Sequence, residues 1–356
     1  MDEGAVRDRL RELVDPELGE DIVSLGLVNE IEVVDDTVTV DLALGAPYSP
    51  AETQLAGEVR TALEDEGMTV DLSASIPDRD NTEDPDAVLP HVKNVIAVSS
   101  GKGGVGKSTL AVNIATGLAD RGASVGLFDA DIYGPNVPRM VDADEPPMAT
   151  EEETLVPPEK YGVKLMSMAF LVGEDDPVIW RGPMVHKVIT QLTEDVEWGH
   201  LDYLVVDLPP GTGDTQLTML QTMPVTGAVV VTTPQTVALD DARKGLEMFA
   251  KHDTVVLGIA ENMGTFVCPD CGSAHDIFDK GGGEEFASTH DLPFLGTIPL
   301  DPAVRVGGDE GRPVVLLEDS ETADAVRSLT GAVADAVGVV HRQRVSQQRS
   351  AESAHQ

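Results

Sequence analysis

Apolar residues along this chain fall into short continuous runs, several of which are followed by positions with helical spacing. The run Val95–Val98 leads through a glycine-rich turn to Leu110, Ile114 and Leu118, which recur at the spacing of one helix face. We read further runs as strands at 125–128, 163–171, 204–206, 228–233 and 255–260, a late strand and turn at 294–302, and a last helix at about 320–340. The pattern predicts strands alternating with helices over most of the chain.

The first 80 residues read as a separate small α+β unit. Val6, Leu10 and Leu13 have helical spacing, strand-like runs follow at 31–34 and 38–44, and a second helix is expected at 50–66. A Pro- and Asp-rich linker at 81–90 separates this unit from the domain expected at 91–340. The terminal stretch 341–356 contains arginines but few apolar residues, so we expect a disordered tail.

The glycine-rich turn satisfies the P-loop pattern G-x-x-x-x-G-K-[ST], with a strand before it and a helix after it. Its backbone N–H groups can surround phosphate oxygens, and the helix N-terminus adds partial positive charge. Lys107 can reach the β- and γ-phosphates of ATP, and the Ser108 hydroxyl can ligate Mg²⁺. The predicted nucleotide loop comprises Gly101, Lys102, Gly103, Gly104, Val105, Gly106, Lys107, Ser108 and Thr109.

Acids follow two other predicted strands, where parallel sheets bind their ligands. Of Asp129 and Asp131, one can hold Mg²⁺ through water while the other orients the attacking water. We favour Asp131 for the water and Asp129 for the metal side, although the roles could be exchanged or the acids could simply cap a helix. Asp207 ends a third apolar strand, at the Walker B position, where it would hold the Mg²⁺ shell.

The loop resembles the deviant Walker A loop shared by the nitrogenase iron protein, arsenite-pump ATPases, and septum-site and partition ATPases, because Lys102 follows the first glycine. The resemblance implies that Lys102 reaches the nucleotide of a partner subunit in a homodimer. It also implies that the segment around Asp129 is switch I, and that the Gly211 N–H in switch II binds the γ-phosphate. Asn262 takes the place where relatives read the adenine edge, although it could also be a turn cap.

The two cysteines of the chain form a C-x-x-C pair, Cys268 and Cys271. One such pair is half of a four-thiolate site, and only His275 or His290 could extend it locally. The economical completion is symmetry, with two subunits contributing two thiolates each. A structural zinc, a redox dithiol or two inert cysteines remain alternatives at this point.

Composition excludes several classes of function. There are 63 acidic against 24 basic residues, a net charge of −39, so we expect neither nucleic acid nor anionic membranes as partners. The acids are scattered along the chain, which is typical of proteins adapted to high salt. No apolar stretch is long enough for a membrane span, and MDEGAVRDRL is not a signal peptide, so a cytoplasmic protein is expected.

Over nearly its whole length the chain resembles the Mrp/ApbC-type iron–sulfur cluster carriers, including the W-R-G-P-M wording at 180–184 and an N-terminal domain like metal–sulfur cluster assembly factors. That small domain commonly carries a cysteine near Ser49 or Pro50, which is missing here. The resemblance implies a mostly parallel P-loop NTPase sheet flanked by helices, preceded by the small α+β domain.

The implied function is that of a slow ATP hydrolase whose homodimer bridges a labile [4Fe–4S] cluster and transfers it to apo iron–sulfur proteins. Arg181 could be an interface cation, and a structural role is an equal alternative. The rival interpretations are a positioning or partition switch of the same ATPase superfamily, and an ATPase with a structural zinc at the C-x-x-C.

Overall fold

The computed structural model describes residues 1–76, 88–171, 182–268, 271 and 273–354. Most of the predicted linker, and Arg181, lie outside these residues. The chain divides into two compact units, each described here by itself. The first unit contains Met1–Pro85 together with Ala334–Gln356, and the second unit contains Asp86–Val333.

The first unit is the predicted small α+β structure. It is built from α1 (Glu3–Leu10), β1 (Val28–Val34), β2 (Thr37–Leu42), α2 (Pro50–Glu64) and β3 (Thr69–Ala74). Strand β2 is central, antiparallel to β1 and parallel to β3. Both helices begin at side-chain caps, since Asp2 accepts from the Ala5 N–H and Ser49 from the Glu52 N–H.

The second unit is organised around a large sheet. Its elements as far as the middle of the chain are β4 (Val95–Ser100), α3 (Lys107–Asp120), β5 (Val125–Asp129), α4 (Val137–Met140), β6 (Met148–Ala149), β7 (Leu155–Val156), β8 (Glu159–Lys160), β9 (Val163–Ser167) and α5 (Gly182–Glu194). Then follow β10 (Tyr203–Asp207), α6 (Asp214–Thr222), β11 (Gly227–Thr232), α7 (Thr236–Lys251), β12 (Val256–Val267), β13 (Ala274–His275), α8 (Gly282–Thr289), β14 (Phe294–Leu300) and α9 (Pro302–Glu310). Short 3₁₀ turns cover Met168–Leu171 and Val314–Leu316.

Within the described residues the sheet has nine strands in the order β13-β12-β11-β4-β10-β5-β9-β8, with β14 also beside β12. The pairings are parallel except for the small edge strands β8 and β13. Strands β4, β5, β10 and β11 are buried along their whole length, as expected for a sheet covered on both faces. This confirms the predicted mostly parallel sheet flanked by helices.

The C-terminal segment differs from the prediction, because α10 (Glu321–Ala354) continues through it as a helix. From Ala334 onward this helix belongs to the first unit. The expected disordered tail at 341–356 is therefore wrong for the described residues up to 354. Polarity misled the prediction: the guanidinium of Arg342 is buried and lies 2.7 Å from Asp15 Oδ2 and 3.2 Å from Glu52 Oε1, while Val345 joins the apolar core.

None of the helices in the described part of the chain is both long enough and apolar enough to cross a bilayer.

Candidate functional site

The predicted site residues meet at one edge of the large sheet, where parallel strands end side by side. Strand β10 pairs with β4 and with β5 so that Asp207 lies level with both Val98 and Asp129. Strand β4 runs directly into the glycine-rich loop, and α3 begins at Lys107 after Gly106. The sheet topology thus brings the loop and the two strand-end acids into one place.

Two glycines of the loop are required by close packing. A β-carbon on Gly101 would lie 2.2 Å from the backbone carbon of Asp241 at the side of α7. One on Gly106 would lie 2.0 Å from Asn262 Nδ2, and Gly106 also has a φ of +87°, which favours glycine. The loop backbone is therefore held tightly against α7 and Asn262.

Lys107 is buried and lies near two acids, Asp207 at the end of β10 and Asp131 two residues beyond the end of β5. Its Nζ lies 2.5 Å from Asp207 Oδ1, 4.0 Å from Asp131 Oδ2 and 3.3 Å from Ser108 Oγ. Burial raises the pKa of Asp207, and the neighbouring Lys107 ammonium opposes that rise. The P-loop, Walker B and switch I positions therefore share one set of electrostatic contacts.

The donor set near Ser108 fits Mg²⁺. Asp207 Oδ2 is buried and has no hydrogen-bond partner among the residues described. A hydroxyl and carboxylate oxygens are hard ligands, which Mg²⁺ prefers, and it is usually completed by phosphates and water. Ser108 would therefore bind Mg²⁺ through its hydroxyl, and Asp207 would hold the coordination shell of the ion.

Asp129 is fully buried and its oxygens receive three hydrogen bonds. Oδ1 accepts from the Asp131 N–H at 3.3 Å, and Oδ2 accepts from the Val137 N–H at 3.1 Å and from the Ser167 hydroxyl at 2.9 Å. The pKa of Asp129 is raised to about 7, mainly by burial and secondly by the negative charge of Asp207. Its contacts hold the loop 130–137 in place.

One carboxylate oxygen of Asp131 faces the nucleotide site, in contrast to Asp129. The Oδ1 of Asp131 accepts from the N–H groups of Tyr133 and Gly134, whereas Oδ2 faces Lys107.

Sequence reasoning missed Ser167. The signal was available, because Ser167 ends a buried apolar strand at the same sheet edge as Asp129 and Asp207. Its hydroxyl also accepts from the Ala169 N–H at 3.0 Å, so it links β9 to the acid.

Two other predicted phosphate contacts occupy different surroundings. The Gly211 N–H donates to the Ser100 carbonyl at 2.9 Å, and Gly211 has a φ of +95°. Lys102 is half-buried, and no acid among the described residues lies within ion-pair distance of its ammonium. Gly103 and Gly104 are exposed beside it. The Lys102 charge is thus not neutralised within the described part of its own chain.

A pocket of about 360 Å³ opens beside the P-loop. Gly106 and Thr109 form one side of it, and Asn262, Met263 and the segment 299–301 form another. Asn262 is buried, and its Nδ2 donates to the Val105 carbonyl at 2.9 Å. The pocket has the size and position for the base and sugar of a nucleotide whose phosphates lie in the loop.

Glu261, also missed from the sequence, precedes Asn262 in β12 and ties this strand to two neighbouring segments. Its Oε2 accepts from the Gly283 N–H at 2.6 Å, and its Oε1 from the Thr297 hydroxyl at 3.2 Å. The signal was a carboxylate at the end of an apolar strand, next to Asn262.

The two cysteines lie in the connection from β12 to β13. Both are free thiols, Cys268 half-buried and Cys271 exposed. The Ser273 hydroxyl lies 3.3 Å from Cys271 Sγ, and hydrogen bonding to Ser273 lowers the pKa of the Cys271 thiol. A lower pKa increases the fraction of thiolate, which is the form of cysteine that binds metals.

The described residues of one chain supply no complete metal site. They contain no group of three or more His, Cys, Asp or Glu side chains arranged to hold a metal ion. His275 is exposed on β13, and the His290 ring packs 4.4 Å from that of Phe286. Neither forms such a group with the cysteines in the described part of the chain.

The fold and the site together define a P-loop NTPase. The family model described as NUBPL iron-transfer P-loop NTPase matches residues 91–334, and the iron–sulfur cluster assembly protein model matches residues 3–71. This chain therefore belongs to the NUBPL iron-transfer P-loop NTPase family, which confirms the family predicted from its motifs.

Individual relatives agree with this assignment. The chain is 44% identical to the iron–sulfur cluster carrier protein of Synechocystis sp. over 94% of this chain and 98% of the relative. A nucleotide-binding protein from Archaeoglobus fulgidus, solved with ADP, has 38% identity and a TM-score of 0.57 over 63% of this chain and 88% of its own. The cell division ATPase MinD of Pyrococcus furiosus has 25% identity and a TM-score of 0.52 over 67% and 98%.

Proposed function

We propose that this protein carries a [4Fe–4S] cluster between two subunits and transfers it to apo iron–sulfur proteins, with ATP binding and slow hydrolysis controlling the transfer. Each subunit contributes Cys268 and Cys271. The cluster is the cargo, whereas ATP is the substrate of the NTPase site.

The observation that carries the proposal is the two-thiol half-site on a chain of the iron-transfer NTPase family. Cys268 and Cys271 are accessible, and the described residues offer no third ligand. Two-fold symmetry doubles two thiolates to four, the number that a [4Fe–4S] cluster takes. Ligands that are few and exposed suit a cluster that must leave.

The NTPase site supports roles for the acids. Asp131 Oδ2 faces the Lys107 ammonium, so we assign Asp131 to orienting the attacking water. The carboxylate oxygens of Asp129 accept hydrogen bonds from the loop 130–137 and from Ser167. We therefore assign Asp129 to positioning this loop and not to holding Mg²⁺. Bound Mg²⁺ would neutralise charge developing on the transferred phosphoryl group.

The base pocket favours adenine. The N–H groups of guanine would pair with a free carboxylate. Of the two carboxylates that line the pocket, Asp309 accepts from Arg305 on Oδ2 at 2.7 Å, and Asp301 accepts hydrogen bonds on both oxygens. Oδ1 accepts from the Ala303 N–H at 2.8 Å and Oδ2 from the Thr322 hydroxyl at 2.6 Å. The Asn262 amide suits the adenine edge, because it retains a second N–H and a second oxygen lone pair beyond its bonds to the Val105 carbonyl and the Met263 N–H.

Lys102 is assigned to the partner subunit's nucleotide. Its ammonium meets no acid among the described residues, and a second cation at the β–γ bridge suits phosphoryl transfer.

Anaerobic reconstitution with iron and sulfide tests the carrier proposal. We expect a brown dimer with about one [4Fe–4S] cluster for every two chains. Cys268→Ala and Cys271→Ala should each lose the cluster while ATP binding survives. His275→Ala is the matched control, since this histidine lies nearby but outside the proposed ligand set, and it should keep the cluster.

A colourless protein with stoichiometric zinc would contradict the carrier proposal and favour the structural-zinc alternative. A cluster retained in both cysteine variants would show that the ligands are wrong. The likeness to MinD concerns the fold, and a positioning switch would leave the thiol pair Cys268 and Cys271 unexplained.

A further inference from the structure

We infer that nucleotide binding changes the exposure of Cys268 and Cys271 within a single chain, through Asn262 and the strand that joins it to the cysteines. This inference rests on the proposed function for the meaning of the cysteines, and it adds how their site is controlled.

The first step is the contact between Asn262 and the P-loop. The Asn262 amide is buried and donates to the Val105 carbonyl at 2.9 Å, and it packs so closely on Gly106 that no side chain would fit there. Phosphates bind to the backbone of this loop. Any adjustment of that backbone therefore acts directly on Asn262.

The second step is the constrained backbone around Asn262, which lies within β12. Asn262 Oδ1 accepts from the Met263 N–H at 3.0 Å, and Met263 has a φ of +58°, a left-handed conformation that is strained for a non-glycine residue. Such strain persists only where surrounding contacts impose it. The preceding residue, Glu261, supplies such contacts through its two hydrogen bonds to Gly283 and Thr297.

The third step is the arm that carries the cysteines. We call residues 264–268 and 273–276 the cysteine arm. Phe266 and Val267 pair antiparallel with His275 and Ala274, and the Cys268 N–H donates to the Ser273 carbonyl at 2.9 Å. The arm therefore continues as a hydrogen-bonded ribbon up to the first thiol.

The base of this arm is also where it can bend. The pairing of β12 with β14 shifts in register between Asn262 and Phe266, and irregularities of this kind locally change strand direction. From Asn262 to Cys268 an extended strand covers about 20 Å. A small rotation at the bulge would therefore become a larger displacement of the thiols.

The test measures alkylation of the two thiols in cluster-free, reduced, full-length protein. The chain has two cysteines, so all thiol modification reports on this site, and mass spectrometry separates the two. We expect saturating Mg²⁺ with a non-hydrolysable ATP analogue to change the alkylation rate at least about fivefold, the lower range of typical coupling between sites.

Two variants should reduce this response. Because Asn262 also faces the base pocket, the Asn262→Ala response is measured at a nucleotide concentration that a fluorescent nucleotide shows to be saturating for that variant. Asn262→Ala removes the contact with Val105. Thr265→Gly loosens the arm, because the Thr265 hydroxyl donates to Asp276 Oδ1 at 3.2 Å, and it leaves the base pocket untouched. Thr39→Gly, an exposed strand threonine in the first unit, is the matched control and should respond like the unaltered protein.

A full response in both Asn262→Ala and Thr265→Gly would overturn the inference. So would a response that grows with protein concentration, because shielding in a dimer depends on concentration and transmission within one chain does not. The assay needs no cluster. Failed reconstitution would therefore refute the carrier proposal alone, while a cluster-binding protein whose thiols ignore nucleotide would refute this inference alone.

Discussion

The buried ammonium of Lys107 compensates a concentration of negative charge at the end of β10. Asp207 lies 2.5 Å from it with almost no solvent exposure, and Asp129 is near enough for its own pKa to be raised by the Asp207 charge. Desolvation of these acids is unfavourable unless a cation or protons offset it. The same lysine therefore serves the folded state and the phosphates.

Lys107→Met should lower the free energy of unfolding by about 3–5 kcal/mol at high pH, the usual effect of breaking a buried ion pair. The pKa of Asp207 is already raised by burial, and without Lys107 it should rise further. When the pKa of a carboxyl group is higher in the folded state than in the unfolded state, stability falls as pH rises from the unfolded pKa to the folded pKa. Urea unfolding of the nucleotide-free protein at a series of pH values measures this loss, which should grow from acidic to alkaline pH.

The double variant Lys107→Met with Asp207→Asn is the control for that effect. The double variant lacks the uncompensated charge, so it should regain most of the lost free energy of unfolding. The remaining difference from the unaltered protein should no longer depend on pH. Both variants should also lose nucleotide binding, because both lack the Lys107 ammonium that reaches the β- and γ-phosphates. A double variant no more stable than the single one would show that Lys107 stabilises the fold by packing and not by charge.

At the scale of elements, α10 is the part of the chain whose structure differs most from expectation. Its residues from Ala334 onward pack within the first unit, where Asp335 Oδ1 accepts from the Ser49 hydroxyl at 2.6 Å and from the Ala51 N–H at 2.8 Å. Arg342 lies between Asp15 and Glu52. The end of the helix is therefore integral to the small α+β unit.

Arg342→Met should destabilise the first unit by about 3–5 kcal/mol, because it leaves two buried carboxylates without their cation. Burial already raises the pKa of Glu52 despite the nearby guanidinium, which shows how unfavourable its charge is there. Thermal unfolding followed by circular dichroism measures the loss.

Arg344→Met is the matched control, two residues along the same helix but exposed, and it should change stability by less than about 0.5 kcal/mol. Equal effects of the two substitutions would contradict the role assigned to the buried ion pairs.

At the scale of the whole molecule, local motifs were predictable from sequence and distant partnerships were not. The P-loop, Asp129 and Asp207 follow from apolar runs that end in glycine or acid, and parallel strands then place them together. The α/β fold was predictable for the same reason.

Other features depend on partners far apart in the chain. Ser167 meets Asp129 across 38 residues, and Arg342 meets Glu52 across 290. No spacing rule connects such pairs, so the ordered C-terminal helix could not be predicted from its polar sequence. The length of β12 was also underestimated, because the polar residues Glu261 and Asn262 interrupt its apolar run. Both side chains are nevertheless buried, since hydrogen bonds satisfy their polar atoms.

The net charge of −39 predicts that stability depends on salt for the molecule as a whole. Self-repulsion destabilises the compact state, and the screening length falls from about 30 Å at 0.01 M salt to about 3 Å at 1 M. Relieving about 2 kcal/mol of repulsion would raise the unfolding temperature by about 4–8 °C. Calorimetry in increasing KCl should show this rise, steepest at low salt, whereas sucrose at equal osmolality controls for general solute effects. An unfolding temperature that stays constant in KCl, or rises equally in sucrose, would contradict both screening and the interpretation of the scattered acids as an adaptation to high salt.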